Sequence, residues 1–158
     1  MPGYKQHLHT AVHVWAIALV TITVFQALNG VGVFSLMQSL EWLGAAMAGA
    51  LFPDVDVKSK GQQLFYSGLI MLSVLLLVFD YHHFLAWFLV LSLIPLILKH
   101  RGLTHEWWFL TLLTGGVCTL LYWAFPYYRL IIMYAALFFW LGAISHLWLD
   151  VHLPFNSQ

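Results

Sequence analysis

The chain has 158 residues, 62% of them hydrophobic and only 8% charged, with a mean hydropathy of +0.85. Six basic and six acidic residues cancel, so no nucleic-acid partner is expected. This composition excludes an ordinary soluble domain. It predicts an all-α, polytopic membrane helix bundle of about six transmembrane helices forming one domain over residues 1–158, because each span needs roughly 20 apolar residues.

The first span is expected over about Ala11 to Leu28, ending at the turn pair Asn29-Gly30. It lacks an Ala-x-Ala-like cleavage site and reads as a retained helix. The second covers about Phe34 to Leu51. Pro53 stops it and biases Phe52 out of helical geometry. Asp54 to Gly61 is a polar loop, and the third span runs from about Gln63 to Phe79, closed by Asp80-Tyr81-His82-His83. The fourth is about Phe84 to Leu98, kinked by Pro95. A loop from His100 to Thr104 leads to the fifth, about Glu106 to Ala124, which ends at Pro126. The sixth runs from about Leu130 to Asp150. Cys118, the one cysteine, lies in an apolar stretch and reads as a small core residue.

In that topology Lys5, Lys58, Lys60, Lys99 and Arg101 fall on one side, and Arg129 alone on the other. Short basic loops stay cytoplasmic, so a multi-pass protein of the cell inner (plasma) membrane with both termini inside is expected. Trp107, Trp108 and Trp148 then sit at the inner interface, and Tyr122, Trp123, Tyr127 and Tyr128 at the outer one, the depths such rings favour.

Four polar clusters share the inner face: His7, His9 and His13; Asp54 and Asp56; His100, His105 and Glu106; His146 and Asp150. Histidine and aspartate are common ligands of hydrolytic metal centres. In extended geometry Asp54 and Asp56 point the same way, and a cation would relieve their repulsion. The competing reading is a solvated turn beside Lys58 and Lys60. His146 and Asp150 share a helical face, so both can bind one ion or Asp150 can orient His146. Arg101 offers a fork that matches phosphate, Gly102 lets the backbone turn, and Thr104 is placed to cap the fifth helix. His7, His9 and His13 cannot all face one way on a regular helix. Glu41 lies near mid-bilayer, where a carboxyl needs a proton, a partner or a function. Asp80, His82 and His83 read as a solvated outer turn.

The blocks Lys5-Gln6-His7-Leu8, Leu51-Phe52-Pro53-Asp54-Val55-Asp56, His100-Arg101-Gly102-Leu103-Thr104-His105 and His146-Leu147-Trp148-Leu149-Asp150 resemble, in order and over nearly the whole chain, the YdjM family. That family is described as LexA-binding, inner-membrane-associated metal-dependent hydrolases. The resemblance implies metal ligation by His7, Asp54, Asp56, His100, His105, His146 and Asp150. Two positions depart from the family's habit: Glu106 stands where Ser is usual after the Thr-His pair, and Thr10 where Gly is common.

The function these readings favour is a membrane-embedded metal-dependent hydrolase of a phosphate ester, such as a lipid phosphate or phospholipid headgroup at the cytoplasmic leaflet. The expected cofactor is a divalent metal, zinc first with manganese or magnesium as alternatives, in one or two ions. Asp56, Glu106 and Arg101 are the expected catalytic residues, and the lipid bilayer and a lipid-phosphate substrate the expected partners. The alternative is a non-catalytic metal-binding membrane protein or a transporter. A regulator of a soluble partner is suggested by the family description alone.

Overall fold

The structure, a computed structural model, describes residues 3–30, 32, 34–56 (the backbone only at Asp56), 59–82, 85–86, 89 and 103–152. Among them are five long helices: α1 (Tyr4–Leu28), α2 (Leu36–Leu51), α3 (Lys60–Val78), α4 (Trp107–Ala124) and α5 (Arg129–His152). Short 3-10 turns at Phe52–Asp56, Leu103–His105 and Pro126–Tyr128 join or precede them. No strand occurs among the described residues. The expected fourth span, 84–98, lies outside them apart from Leu85, Ala86 and Leu89, which are helical.

Among the described residues, four helical segments are long and apolar enough to cross a membrane: Tyr4–Leu28, Lys60–Val78, Trp107–Ala124 and Pro126–His152. The 19 residues of α3 rise about 28 Å at 1.5 Å each, close to the roughly 30 Å of a hydrocarbon core. Their outward residues are large and apolar: Val24, Phe25, Ile70, Met71, Leu112 and Trp123 are each more than half exposed. In water that surface would drive aggregation; in lipid it is a matched solvent.

Local signals set the boundaries. α1 begins at Tyr4 rather than Ala11, because Gln6 Oε1 turns back to accept from the Gly3 N–H at 3.2 Å and closes the first turn. At α2, Ser35 Oγ accepts from Gln38 N–H (3.2 Å) while Gln38 Oε1 accepts from Ser35 N–H (3.0 Å), a reciprocal cap. Ser59 Oγ caps α3 by accepting from Gln62 N–H at 3.0 Å. At α4 the expected cap is not found. Glu106 occupies the N-cap position without a side-chain bond, and Thr104 is buried in the preceding 3-10 turn.

Pro53 does not turn the chain out at Phe52 either. Phe52 keeps helical angles (φ −61°, ψ −41°) and the backbone tightens into a 3-10 turn. The usual pre-proline bias is outweighed by packing: Phe52, Pro53 and Val55 are all buried, Phe52 against Leu110 and Ala143. Asp54 and Asp56 therefore do not sit on alternating positions of an extended strand.

Among the described helices, α2 and α5 cross with backbone in contact. A methyl group built on Gly142 would overlap the Ala46 carbonyl, and one on Gly49 the Phe139 carbonyl. Backbone meets backbone there, as small residues allow in membranes. Beside this crossing, Trp42, Ala46 and Phe138 form one buried cluster and Phe52, Leu110 and Ala143 a second. α1 lies across both helices, with Trp15 Nε1–H donating to the Ser39 carbonyl at 3.1 Å. The alternation of the chain brings the start of α1, the end of α2, the turn before α4 and the end of α5 to one end of the bundle.

Candidate metal centre

At that end the described side chains of His7, Asp54, His105, His146 and Asp150 converge. His146 Nε2 lies 3.6 Å from Asp54 Oδ1 and 3.3 Å from Asp150 Oδ2. His105 Nε2 faces the same two oxygens at 3.8 and 3.9 Å. His7 Nε2 approaches Asp150 Oδ1 at 3.6 Å. Two overlapping sets, His7–Asp54–His146 and His105–His146–Asp150, each keep one donor atom per residue within 4.8 Å of the others.

These separations exceed the roughly 2.7–3.2 Å of an N–H···O hydrogen bond. They match the edges of a coordination polyhedron: ligands about 2.1 Å from one ion stand roughly 3.0 to 4.2 Å apart, depending on geometry. His105 Nε2, His146 Nε2 and Asp150 Oδ1 are buried atoms without a hydrogen-bond partner among the described residues. Such groups are costly unless something binds them. The donor set therefore fits a divalent ion on chemistry, spacing and unmet bonding capacity together.

His146 is the best-defined donor. Its side chain is 1% exposed, and Nδ1 lies 2.6 Å from the Ala50 carbonyl. A carbonyl only accepts, so Nδ1 carries the proton and Nε2 turns its lone pair toward the carboxylates. This is the usual support of a metal-binding imidazole. His7 stacks on it, ring centroids 3.7 Å apart and 12° from parallel. His105 stands edge-on to His146, with Thr104 Oγ1 3.4 Å from its Nδ1. Gln62, from the first turn of α3, donates through Nε2 to the Val55 carbonyl at 2.7 Å and anchors the acidic turn.

Among the described residues, the cluster is more deeply buried on one side than on the other. His7 and His146 side chains are 2% and 1% exposed, whereas those of Asp54 and His105 keep 23% and 28%. Trp107 and Trp148, two residues along the chain from His105 and Asp150, are largely exposed.

The remaining sequence candidates stand elsewhere. His100 and Arg101 lie outside the described residues, as does the side chain of Asp56. Glu106 is exposed and joins neither ligand set. Of the first histidines only His7 turns inward; His9 and His13 are exposed on α1, with the His13 ring bonded to the His9 carbonyl. Glu41 is exposed, on the opposite side of α2 from the buried Ser39, Trp42 and Ala46 stripe. His82 pairs with Asp80 at 3.4 Å on an exposed turn at the far end of α3. Ala50, Thr104 and Gln62 support the cluster, and of these only Thr104, inside a family block, carries a signal in the sequence, that of a helix cap. A backbone carbonyl leaves no trace in sequence, and Gln62 reads as any helix-start polar residue.

Fold and site together define a helical membrane protein with histidine and aspartate groups that could hold a metal ion at one end of its bundle. The sequence profile of the YdjM inner membrane proteins matches residues 1–158, and the chain belongs to that family. No curated protein and no solved structure gives a significant match.

Proposed function

We propose that this protein is a metal-dependent hydrolase of phosphate esters at the membrane surface, with a lipid phosphate or phospholipid headgroup as substrate. The observation that carries the reading is the gathering of three imidazoles and two carboxylates in two overlapping triads at one end of the bundle, with Asp54 and His105 partly exposed. A closed shell would suit a structural ion; a catalytic centre keeps a free position. The exposed indoles of Trp107 and Trp148 favour headgroup depth, which suits a substrate anchored in the bilayer.

When bound, a divalent ion, zinc first for this nitrogen-rich set, supplies Lewis acidity toward a phosphoryl oxygen and an attacking water. His7 and His146 hold the more deeply buried side and exclude solvent; Asp54, His105 and Asp150 complete the set. Asp56 and Glu106 are the candidates to take the proton from water, and Arg101 to grip the phosphate through its fork. Arginine suits this because its charge is permanent and its donors are planar.

Purified protein stripped by chelation and reloaded with zinc or manganese should release phosphate or headgroup from lipid-phosphate vesicles, and the stripped form should not. His82→Ala, at the other end of the molecule, should keep wild-type rates. Metal binding without hydrolysis of any phosphoester lipid would favour the non-catalytic alternative. Transport has less support, since the described ionisable cluster is confined to one end rather than strung through the bilayer.

The inner-leaflet placement has its own test. In a Cys118→Ser background, a cysteine at position 58 should react with a membrane-impermeant maleimide only after cells are opened. Labelling of intact cells would invert the topology and move the substrate to the other leaflet.

A further inference from the structure

We infer that Gln62 is a positioning residue of the metal centre, its side chain withdrawn from the helix cap that its place in the sequence would have it close. The inference rests on the metal-centre reading above and adds to it a residue that supplies no ligand atom. Three of the described helices carry glutamine at their third position: Gln6 on α1, Gln38 on α2 and Gln62 on α3. On α1, Gln6 Oε1 accepts from the Gly3 N–H at 3.2 Å, and on α2, Gln38 Oε1 accepts from the Ser35 N–H at 3.0 Å. Ser59 and Gln62 stand in the same relation at α3, and Ser59 Oγ makes its half of a reciprocal cap. Among the described residues Gln62 does not return it. Its Nε2 donates instead to the Val55 carbonyl at 2.7 Å, seven positions back along the chain.

The two capping glutamines are internal comparisons, with the same side chain at the same helical position. What differs at α3 is the neighbour. The first turn of α3 lies against the elements that build the centre: a Cβ built on the buried Gly61 would stand 3.6 Å from both Leu51 Cδ2 and Tyr4 Cβ. One turn further on, the Phe65 ring meets the Phe52 ring edge-on, centroids 6.1 Å apart. α3 therefore holds the acidic turn Phe52–Asp56 at two points, by packing at Phe52 and by a hydrogen bond at Val55. Val55 is 2% exposed, so water is poorly placed to replace the amide.

That bond bears on Asp54, the residue before Val55. Asp54 Oδ1 faces His105 Nε2 at 3.8 Å and His146 Nε2 at 3.6 Å. A short aspartate side chain takes its direction from its backbone, so fixing the Val55 carbonyl fixes the rotation of the turn that aims the carboxylate. Groups that orient ligands in this way change metal affinity when they are lost, although they touch no ion. A helix cap has no such effect.

The test uses the full chain in detergent, stripped and titrated with zinc(II), with thermal unfolding of the stripped form measured alongside. Gln62→Met keeps the length of the side chain and removes the donor. It should weaken zinc binding by about 10–100-fold. Gln62→Glu, when ionised, cannot donate to a carbonyl but can accept from the Ser59 N–H and complete the cap. It should unfold no earlier than wild type, yet lose zinc affinity as Gln62→Met does. Gln38→Met, at the matching position of α2, should lower the unfolding temperature and leave zinc affinity unchanged. Wild-type affinity in Gln62→Met, or equal losses in Gln62→Met and Gln38→Met, would overturn the positioning role and return Gln62 to an ordinary helix start. Should Gln62→Met fail to fold, Gln62→Glu still decides, since wild-type or tighter affinity in it has the same meaning. A wild-type chain that takes up no zinc is a separate outcome, which overturns the metal reading itself.

Discussion

Replacing His146 with alanine should abolish metal binding and lower phosphoester hydrolysis by about a thousand-fold, the rate equivalent of roughly 4 kcal/mol of lost charge stabilisation. His146 is the one donor common to both ligand sets, so this expectation holds whatever the number of ions. Three consequences of the truncation act together. The nitrogen 3.3 and 3.6 Å from the two carboxylates disappears. The Ala50 carbonyl loses its 2.6 Å donor, at a cost of about 1–3 kcal/mol for a buried unsatisfied group. His7 loses the ring stacked 3.7 Å from its own. Elemental analysis and a lipid-phosphate assay on protein of matched monodispersity check the outcome. Wild-type metal content in the variant would remove His146 from the ligand set and with it the geometric basis of the site.

Gly142→Ala should destabilise the protein by about 1–3 kcal/mol and weaken metal binding, although it touches no ligand. Glycine to alanine inside a helix ordinarily gains up to about 1 kcal/mol from propensity. Here the added methyl would overlap the Ala46 carbonyl, and backbone cannot swing aside as a side chain can, so overpacking dominates. The strain would travel a short way. His146 lies one turn beyond Gly142 on α5, and Ala50 one turn beyond Ala46 on α2. Forcing the helices apart therefore stretches the Nδ1–carbonyl bond that holds the imidazole. Gly44→Ala is the control: it lies on α2 with nothing within 4 Å among the described residues, and should be neutral or stabilising. Thermal unfolding in detergent with metal titration reads both effects. A Gly142→Ala protein as stable as wild type would mean that α2 and α5 do not cross as closely as the backbone shows.

The helical class and its approximate spans are legible because apolar length is a one-dimensional property. The expected stretch 106–124 became Trp107–Ala124, and 130–150 became Arg129–His152. The shared end of the polar clusters was legible as well, since strict alternation of short-looped spans sorts every loop to one of two faces. Two local conformations were not. The acidic turn reads as extended from its proline. Burial of Phe52, Pro53 and Val55, with Phe52 packed against Leu110 of α4 and Ala143 of α5, makes it a 3-10 turn, and no neighbour in sequence announces that packing. Thr104 reads as a helix cap, but it is buried beside His105 because the turn Leu103–His105 tucks under the site.

Sequence alone thus determined that this chain is a membrane helix bundle and that histidines and aspartates gather at one end of it. Those outcomes depend on composition, length and parity, which act without regard to partners. Tertiary structure decided which of those side chains meet. Helix phase turns His7 inward and leaves His9 and His13 outside. The glycine-mediated approach of α2 to α5 brings the Ala50 carbonyl onto His146 and fixes which imidazole nitrogen faces Asp54 and Asp150. Residues 96 positions apart along the chain come within hydrogen-bond reach only because two backbones can touch, a fact that resides in packing rather than in pattern.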